Sequence, residues 1–381
     1  MKKDYIIIIG TGSFVMDDNF GDGVILRSVI QWIDLYSDNS IALFYRTKSK
    51  LDKLKTKIDN LCSNNIELIH LDNLENFISS ENIFASFICI PDKNHFSYTQ
   101  KMLNANIPTW IVKPVTDNLK EAQELLELSN SKKISLWVDY HKRFDKSNTL
   151  LKKYIKDNSY GNMLHYSVQY TQPISLPLET FSWTKDTNVL SYIGCHYIDQ
   201  LEFLYEKRIE SFRISSIGTK GIIFNKIGNN CYDSIITTLV IKLDNNKEVI
   251  CNFQVGWNDP AGTPSKSHQR VEATFEKGRL IMDQKERGME LWDENKSNQI
   301  NPYFFSSSYD SFLNKEQYSG YGYDSVKYFL DSTKENKKNN LNSLPYIQNI
   351  LFSEKVLEAS KESLKLNGEW ININMDDEYN E

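Results

Sequence analysis

A lysine and a histidine carry the clearest chemistry in this chain. Lys113 closes the apolar run TWIVK (109 to 113) and is followed by Pro114. A proline favours extended backbone at the residue before it, so Lys113 is expected at the carboxyl end of a strand, where open α/β sheets bind ligands. An ammonium there donates to a hydroxyl and stabilises negative charge as the oxygen becomes an alkoxide. His196, in IGCHYIDQL, follows a glycine at a helix start and can exchange a proton near neutral pH. Asp199 lies on the same helical face, where it can orient the imidazole or meet a hydroxyl. The plain alternatives are a surface lysine, a hydrogen-bonded core histidine and a helix-surface carboxylate.

The stretch IIIIGTGSFVMDDNFGDGVILR (6 to 27) adds an anion-binding motif with a gap. Gly10 and Gly12 follow an apolar run, as in a loop that lets backbone approach a pyrophosphate. The third glycine of that pattern is replaced by Val15, and Gly21 and Gly23 come later. The spacing predicts a phosphate loop with SFVMDDNFGD inserted before a helix that begins near Val24; a tight turn without a ligand is the alternative. In FYRTKSK, Tyr45 stands where an acid would hold the ribose of NAD, and Arg46 follows, with no carboxylate before Asp52. An arginine there accommodates a 2'-phosphate, so the expected cofactor is NADP, with NAD as the alternative. A solvated basic helix start is the plain reading of the same residues.

These groups need elements to position them. The runs YIIIIG (5 to 10), SIALFYR (40 to 46), IELIHL (66 to 71), FASFICI (84 to 90), TWIVK and ISLWVDY (134 to 140) read as strands. Helical patterns alternate with them at VILRSVIQWIDLY (24 to 36), KLDKLKTKIDNLC (50 to 62), HFSYTQKMLNAN (95 to 106) and LKEAQELLELSNS (119 to 131). Such alternation predicts a parallel sheet covered by helices on both faces. After Asp145 a helix, KSNTLLKKYIKD, precedes longer alternating runs: MLHYSVQYTQ, RIESFRISSIG, DSIITTLVIKL, KEVICNFQVGW, RVEATFEKG, RLIMDQ and MELWDE. DNNKE and EKGR between neighbouring runs read as hairpin turns, so a large, mostly antiparallel sheet with one covered face is expected. Helices return at YDSVKYFLDS (323 to 332) and PYIQNILFSEKVLEASKESLK (345 to 365), with DSTKENKKNNLNS (331 to 343) as a solvated loop.

A chain of 381 residues exceeds the roughly 250 to 300 at which a single core stops growing. Two domains are expected, residues 1 to 145 and 146 to 381. The net charge of -6 argues against nucleic acid or an anionic membrane as partner. No apolar run approaches the roughly 18 residues that span a bilayer, and MKKDYIIIIG enters a strand directly, so the expectation is a cytoplasmic protein without a signal peptide. Five cysteines without a CxxC point to neither a metal site nor a disulfide framework.

The stretch FICIPDKNHFSYTQKMLNANIPTWIVKPVTDN (87 to 118) resembles the Gfo/Idh/MocA family of NAD(P)-dependent sugar and polyol oxidoreductases, whose signatures there are Pro-Asn-x-x-His and Glu-Lys-Pro. DYHKRFD (139 to 145) is similar to the family's crossover between domains, and GCHYIDQLEFLY (194 to 205) matches Gly-x-His-x-x-Asp. GYGYDSVKYFLD and EASKESLKLNGEW are similar to its last helices. The resemblance implies an N-terminal Rossmann-type doubly wound domain and a C-terminal α+β domain that self-associates into a homodimer or homotetramer. It places Gly10, Gly12, Arg46, Pro91, His95 and Lys113 around the cofactor. Lys113 and His196 become catalytic, with Tyr192 where the family often has an aspartate of the proton relay. His141, Asp199 and Trp183 fall to the substrate, and no metal is implied. Tyr170, Trp183 and Trp257 are candidates for an aromatic face under a sugar, or simply packing residues. The family glutamate before the lysine is Val112 here.

Together these readings describe an oxidoreductase moving hydride between a nicotinamide and a secondary alcohol or ketone of a sugar or sugar nucleotide. Val112 and Tyr192 keep an alternative open, a cofactor-binding sensor or regulator that has kept the fold and lost turnover. An assembly partner whose broad sheet serves as a dimer interface is a third reading.

Overall fold

Ile6 to Ile9 are fully buried in the first strand, β1 (Asp4–Ile9), as a strand covered on both faces requires. In this computed structural model, which describes residues 4–16, 23–61, 66–181, 183–228, 231–285, 287–294, 297–312, 314–336 and 351–376, β1 leads into α1 (Val24–Tyr36), β2 (Ser40–Tyr45), α2 (Leu51–Asp59) and β3 (Ile66–His70). Then follow α3 (Leu74–Ser80), β4 (Asn82–Ile88), α4 (His95–Asn104), β5 (Thr109–Ile111), α5 (Leu119–Lys132) and β6 (Leu136–Val138). The six strands are all parallel in the order β3-β2-β1-β4-β5-β6, with Ile8 level with Leu43 on one side and Phe87 on the other. The order reverses between β1 and β4, which makes the carboxyl edge there the ligand crevice of a doubly wound sheet.

The second part of the chain runs α6 (Lys146–Lys156), β7 (Met163–Pro173), α7 (Cys195–Tyr205), β8 (Ile209–Thr219), α8 (Ile222–Ile227), β9 (Ser234–Leu243), β10 (Glu248–Asp259), β11 (His268–Phe275), β12 (Gly278–Asp283), β13 (Glu290–Trp292) and β14 (Ser297–Gln299). It is followed by β15 (Ser306–Asp310), β16 (Lys315–Ser319), α9 (Tyr321–Asn336), α10 (Leu351–Lys365) and β17 (Ile371–Asn374). A seven-stranded sheet has the order β12-β11-β7-β10-β9-β8-β17. Its neighbours are antiparallel except β7 and β10, which run parallel, with Val168 level with Phe253. The large antiparallel sheet is therefore present with one parallel pair at its centre. Alternation works as expected: Val249, Cys251, Phe253 and Val255 are buried along β10 while Glu248, Ile250 and Gln254 face outward. Helix α10 covers the inner face, with Phe352 against Phe212 at 5.7 Å and Ser360 Oγ 2.8 Å from Ser216 Oγ.

Two compact units result: Met1–Thr116, Lys120–His141 and Phe304–Gln348 form one, and Asp117–Leu119, Lys142–Tyr303 and Asn349–Glu381 the other. A division at 145/146 assigns Phe304–Gln348 to the second unit, whereas this segment belongs to the first. The cause is apolar packing: Val326, Phe329 and Leu330 of α9 join the core of Trp32, Phe87, Trp110 and Trp137, with Phe329 5.4 Å from Phe87. Helix α9 also runs through Asn336, so residues 331–336 of the expected solvated loop are helical. Trp32 Nε1 donates to Asp331 Oδ1 at 2.8 Å, which holds that part of the helix to α1. Residues 337–343 of the expected loop, 345–350 of the last expected helix, Cys62 and residues 17–22 of the insertion lie outside the described residues. MELWDE adds no strand to the large sheet; β13 pairs with β14 in a separate hairpin.

Candidate active site

Of the two glycines that follow β1, only the first is forced by packing. Gly10 has φ +115°, and a Cβ on it would stand 2.1 Å from the carbonyl oxygen of Cys89, so both conformation and space demand glycine. At Gly12 a Cβ would meet nothing within 4 Å, and the space there is open. The Gly12 carbonyl accepts from Val15 and Met16 N–H, both at 2.9 Å, which starts a helical turn. Phe14 O then accepts from Val24 at 3.0 Å and Ile25 at 3.2 Å, and Val15 O from Leu26 at 3.2 Å. Helix α1 is therefore joined to the turn begun at Gly12 through the carbonyls of Phe14 and Val15. Gly23 takes the place of the missing third glycine: a Cβ there would lie 2.4 Å from the Met16 backbone, while Val15 is buried in the core. Because α1's first amides are occupied, the N–H groups left for an anion are those of Gly12, Ser13 and Phe14, which donate to no acceptor among the described residues. Open space at Gly12 and three successive amides left over fit a pyrophosphate.

The other strand ends share this edge. Beyond β2, Arg46, Lys48 and Lys50 are exposed, and the first carboxylate is Asp52 in the first turn of α2. His70, at the end of β3, places Nε2 3.0 Å from Arg46 O and packs edge-on against Tyr45 at 5.3 Å. Beyond β4, Pro91 begins a short turn closed by Asn94 N–H to Pro91 O at 3.0 Å. His95 is fully buried, with Nδ1 2.9 Å from Pro114 O and Nε2 2.7 Å from Ile90 O. It thus ties the turns after β4 and β5 together and bears on a ligand only through them. Lys113 is half-buried just past β5, joined to Pro114 by a cis peptide bond. Val112, where the family has glutamate, packs against the apolar core of the first unit. At the end of β6, His141 pairs with buried Asp139, a carboxylate that the sequence did not single out.

In the second unit, Tyr192 lies in the π-helical turn Leu190–Gly194 that runs into α7 and the buried His196. Trp183 stands 4.9 Å from Tyr192 and 5.2 Å from Phe181, all three rings half-buried. Trp257 is fully buried and Tyr170 nearly so, the latter edge-on against Tyr197 at 5.7 Å. Both pack the interior, and of the three aromatic candidates Trp183 alone keeps a partly open face. Asp199 requires correction as a substrate contact. It is fully buried, with Oδ2 accepting from Arg143 Nε at 2.7 Å and Oδ1 from the other arm of the guanidinium, a structural ion pair. Burial pushes the neighbouring Glu202 carboxyl up to about 8, against the pull of Arg143. Lys142 is the group that sequence reasoning missed. Burial lowers its amine to about 7, and Nζ reaches Gln284 Oε1 at 3.2 Å and the Tyr197 ring at 4.9 Å. Its signal was slight, a second basic residue in DYHKRFD.

Comparison with known proteins gives this geometry its family. Residues 6–140 match the Gfo/Idh/MocA model described as an oxidoreductase family with an NAD-binding Rossmann fold, and residues 149–281 match the Gfo/Idh/MocA C-terminal domain. An uncharacterized oxidoreductase of Schizosaccharomyces pombe is 29% identical over 137 residues, 35% of this chain and 37% of that protein. The scyllo-inositol 2-dehydrogenase (NADP(+)) IolW of Bacillus subtilis is 25% identical over 143 residues, 36% of this chain and 39% of that protein. Both alignments span less than two fifths of the relatives' own length. Among solved structures, myo-inositol 2-dehydrogenase from Lactobacillus plantarum superposes with TM-score 0.72 at 16% identity, covering 98% of this chain and all of that one (100%). Scyllo-inositol dehydrogenase from Lactobacillus casei, with bound NAD(H) and scyllo-inositol, gives 0.69 at 16% identity, covering 97% and 99%. At such identities the structures show a common fold. Within the described residues no cluster of ligating side chains fits a metal, and no helix is long and apolar enough to cross a membrane. The chain belongs to the Gfo/Idh/MocA family of oxidoreductases.

Proposed function

We propose that the protein is an NADP-dependent dehydrogenase or reductase acting on a secondary alcohol or ketone of a cyclitol, sugar or sugar nucleotide. One observation carries the reading: the Gly12–Phe14 amides and Lys113 stand on a single carboxyl edge of one parallel sheet. Lys113 donates to the substrate oxygen and stabilises the charge that grows on it, and His196 exchanges the hydroxyl proton. Tyr192 and Trp183 contribute to substrate binding in the second unit. The nicotinamide, when bound, supplies the hydride chemistry, and the protein supplies orientation. Exposed Arg46, Lys48 and Lys50 support NADP over NAD, as does the NADP-linked relative in Bacillus subtilis. The inositol dehydrogenases among the structural neighbours support a cyclitol or related ring as substrate. A second copy of the chain is the partner expected on the outer face of the seven-stranded sheet.

Val112 favours a second reading. An apolar side chain packed into the core has replaced the family's acid beside the lysine, which is compatible with a cofactor-binding sensor that no longer turns over. A nicotinamide absorbance assay against cyclitols, free sugars and sugar nucleotides, run beside cofactor titration, separates the two. Turnover of any of these supports the dehydrogenase, and tight cofactor binding without turnover across the panel supports the sensor.

A further inference from the structure

The strand end whose cations support NADP is braced by a histidine that the motifs leave without a role. The backbone ladder between β2 and β3 ends where Tyr45 is level with His70. One residue further, Arg46 has left the strand, and its carbonyl is met by a side chain: His70 Nε2 lies 3.0 Å away. A carbonyl only accepts, so Nε2 carries the proton and donates it. The other ring nitrogen is held as well, with the Asp72 N–H at 3.4 Å and Asp72 Oδ2 at 3.1 Å from Nδ1. Nδ1 therefore has a partner with or without a proton of its own, and in both states Nε2 remains the donor to Arg46. The ring stands edge-on to Tyr45 at 5.3 Å, and the side chain is 16% exposed.

The chain beyond this contact is a compact basic turn. Lys50 N–H donates to Thr47 O at 3.1 Å, and Arg46, Lys48 and Lys50 are exposed. The Arg46 guanidinium makes no hydrogen bond or ion pair among the described residues. Two tethers fix where this turn leaves the sheet. Gly10 N–H donates to Phe44 O at 3.1 Å, which ties the last residues of β2 to the glycine turn, and His70 holds the carbonyl two residues later. A long exposed side chain loses rotamer freedom when it engages a ligand, and a backbone already fixed limits what must be ordered.

We propose that His70 is a positioning residue for NADP: through its bond to the Arg46 carbonyl it fixes the backbone from which the guanidinium reaches the 2'-phosphate, and so sets the preference for NADP over NAD. The inference rests on the NADP reading above. NAD carries a hydroxyl where NADP carries the phosphate, so a residue acting through Arg46 changes one affinity and leaves the other. A histidine that served only to cap the turn Leu71–Asn73 would, when lost, disturb both dinucleotides alike or neither.

The test is a fluorescence titration of the full chain with NADPH and with NADH at one fixed pH, and the readout is the ratio of the NADH to the NADPH dissociation constant. His70→Phe keeps a ring against Tyr45 and removes the donor. Its ratio falls by roughly three- to tenfold, through NADPH alone, as the loss of one hydrogen bond implies. His70→Gln, whose amide nitrogen can take the place of Nε2, keeps the ratio within about twofold of the parent. Adding His70→Phe to Arg46→Ala lowers the ratio no further than Arg46→Ala does, because the histidine acts through the arginine. A parent-like ratio in His70→Phe, an equal loss for both dinucleotides, a loss in His70→Gln as large as in His70→Phe, or a fall of full size in the Arg46→Ala background overturns the inference. An unchanged ratio in Arg46→Ala overturns the NADP reading itself and the inference with it, so the two failures are told apart.

Discussion

Arg46, Lys48 and Lys50 leave β2 exposed, with the first carboxylate deferred to α2. Arg46→Ala is expected to weaken NADP by about 1.5 to 3 kcal/mol, the value of a charge-assisted contact to phosphate, with much less effect on NAD. Equal losses for both dinucleotides, measured by titration, contradict the assignment. Glu202 makes a prediction about stability. Its carboxyl is raised by burial from 4.5 to about 8, so the folded state binds a proton that the unfolded chain has lost. Its contribution is favourable below about 4.5 and is lost as pH rises towards about 8, above which the buried charge is a penalty on the order of a few kcal/mol. Glu202→Gln is expected to raise the urea midpoint at pH 9 relative to the parent and to change it little at about pH 4. Parallel pH profiles for the two proteins contradict it. Backbone demands at this scale were legible where they are local, as in the turn at Gly10. Side-chain roles were hidden where the partner is remote: Arg143, which claims Asp199, is distant in the chain, and burial of Lys142 depends on Tyr197 and Gln284.

At the scale of elements, periodicity located β1 to β6 and helices α1, α2, α4 and α5 to within a few residues, because the strands other than the edge strand β3 are largely buried on both faces and each helix shows one apolar stripe. The short α3, whose one fully buried residue is Leu74, gave no such pattern. The parallel pairing of β7 with β10 was equally hidden, since alternation fixes which face is buried and not which strand lies alongside. The inserted residues hid the third glycine from the spacing, because it is Gly23 that returns to the Met16 backbone. The outer face of the seven-stranded sheet carries Ile217, Ile236, Ile250 and Ile281, each between 47% and 61% exposed, with Ile217 level with Ile236. Exposed apolar side chains on a broad sheet face suit the proposed self-association, and light scattering is expected to give a dimer or tetramer at micromolar concentration. Ile236→Lys, on that face beside Ile217, is expected to shift the assembly towards monomer. A monomeric parent protein contradicts this.

For the whole molecule, the order of motifs along the chain revealed more than any one of them. A glycine loop, a histidine turn, a lysine-proline pair and a helix with Gly-x-His-x-x-Asp recur in the family's order, and the two family models match across both halves. The return of Phe304–Gln348 to the first unit was not legible, because it rests on α9 completing an apolar core begun at the other end of the chain. The central claim is that Lys113 holds the reacting oxygen and stabilises charge that develops in the transition state. The most direct measurement is steady-state turnover of Lys113→Met on the best substrate found, with cofactor affinity measured beside it. The account predicts that kcat falls by roughly 10² or more, about 2.7 kcal/mol, while the cofactor dissociation constant rises only modestly. Turnover at the parent rate would contradict it.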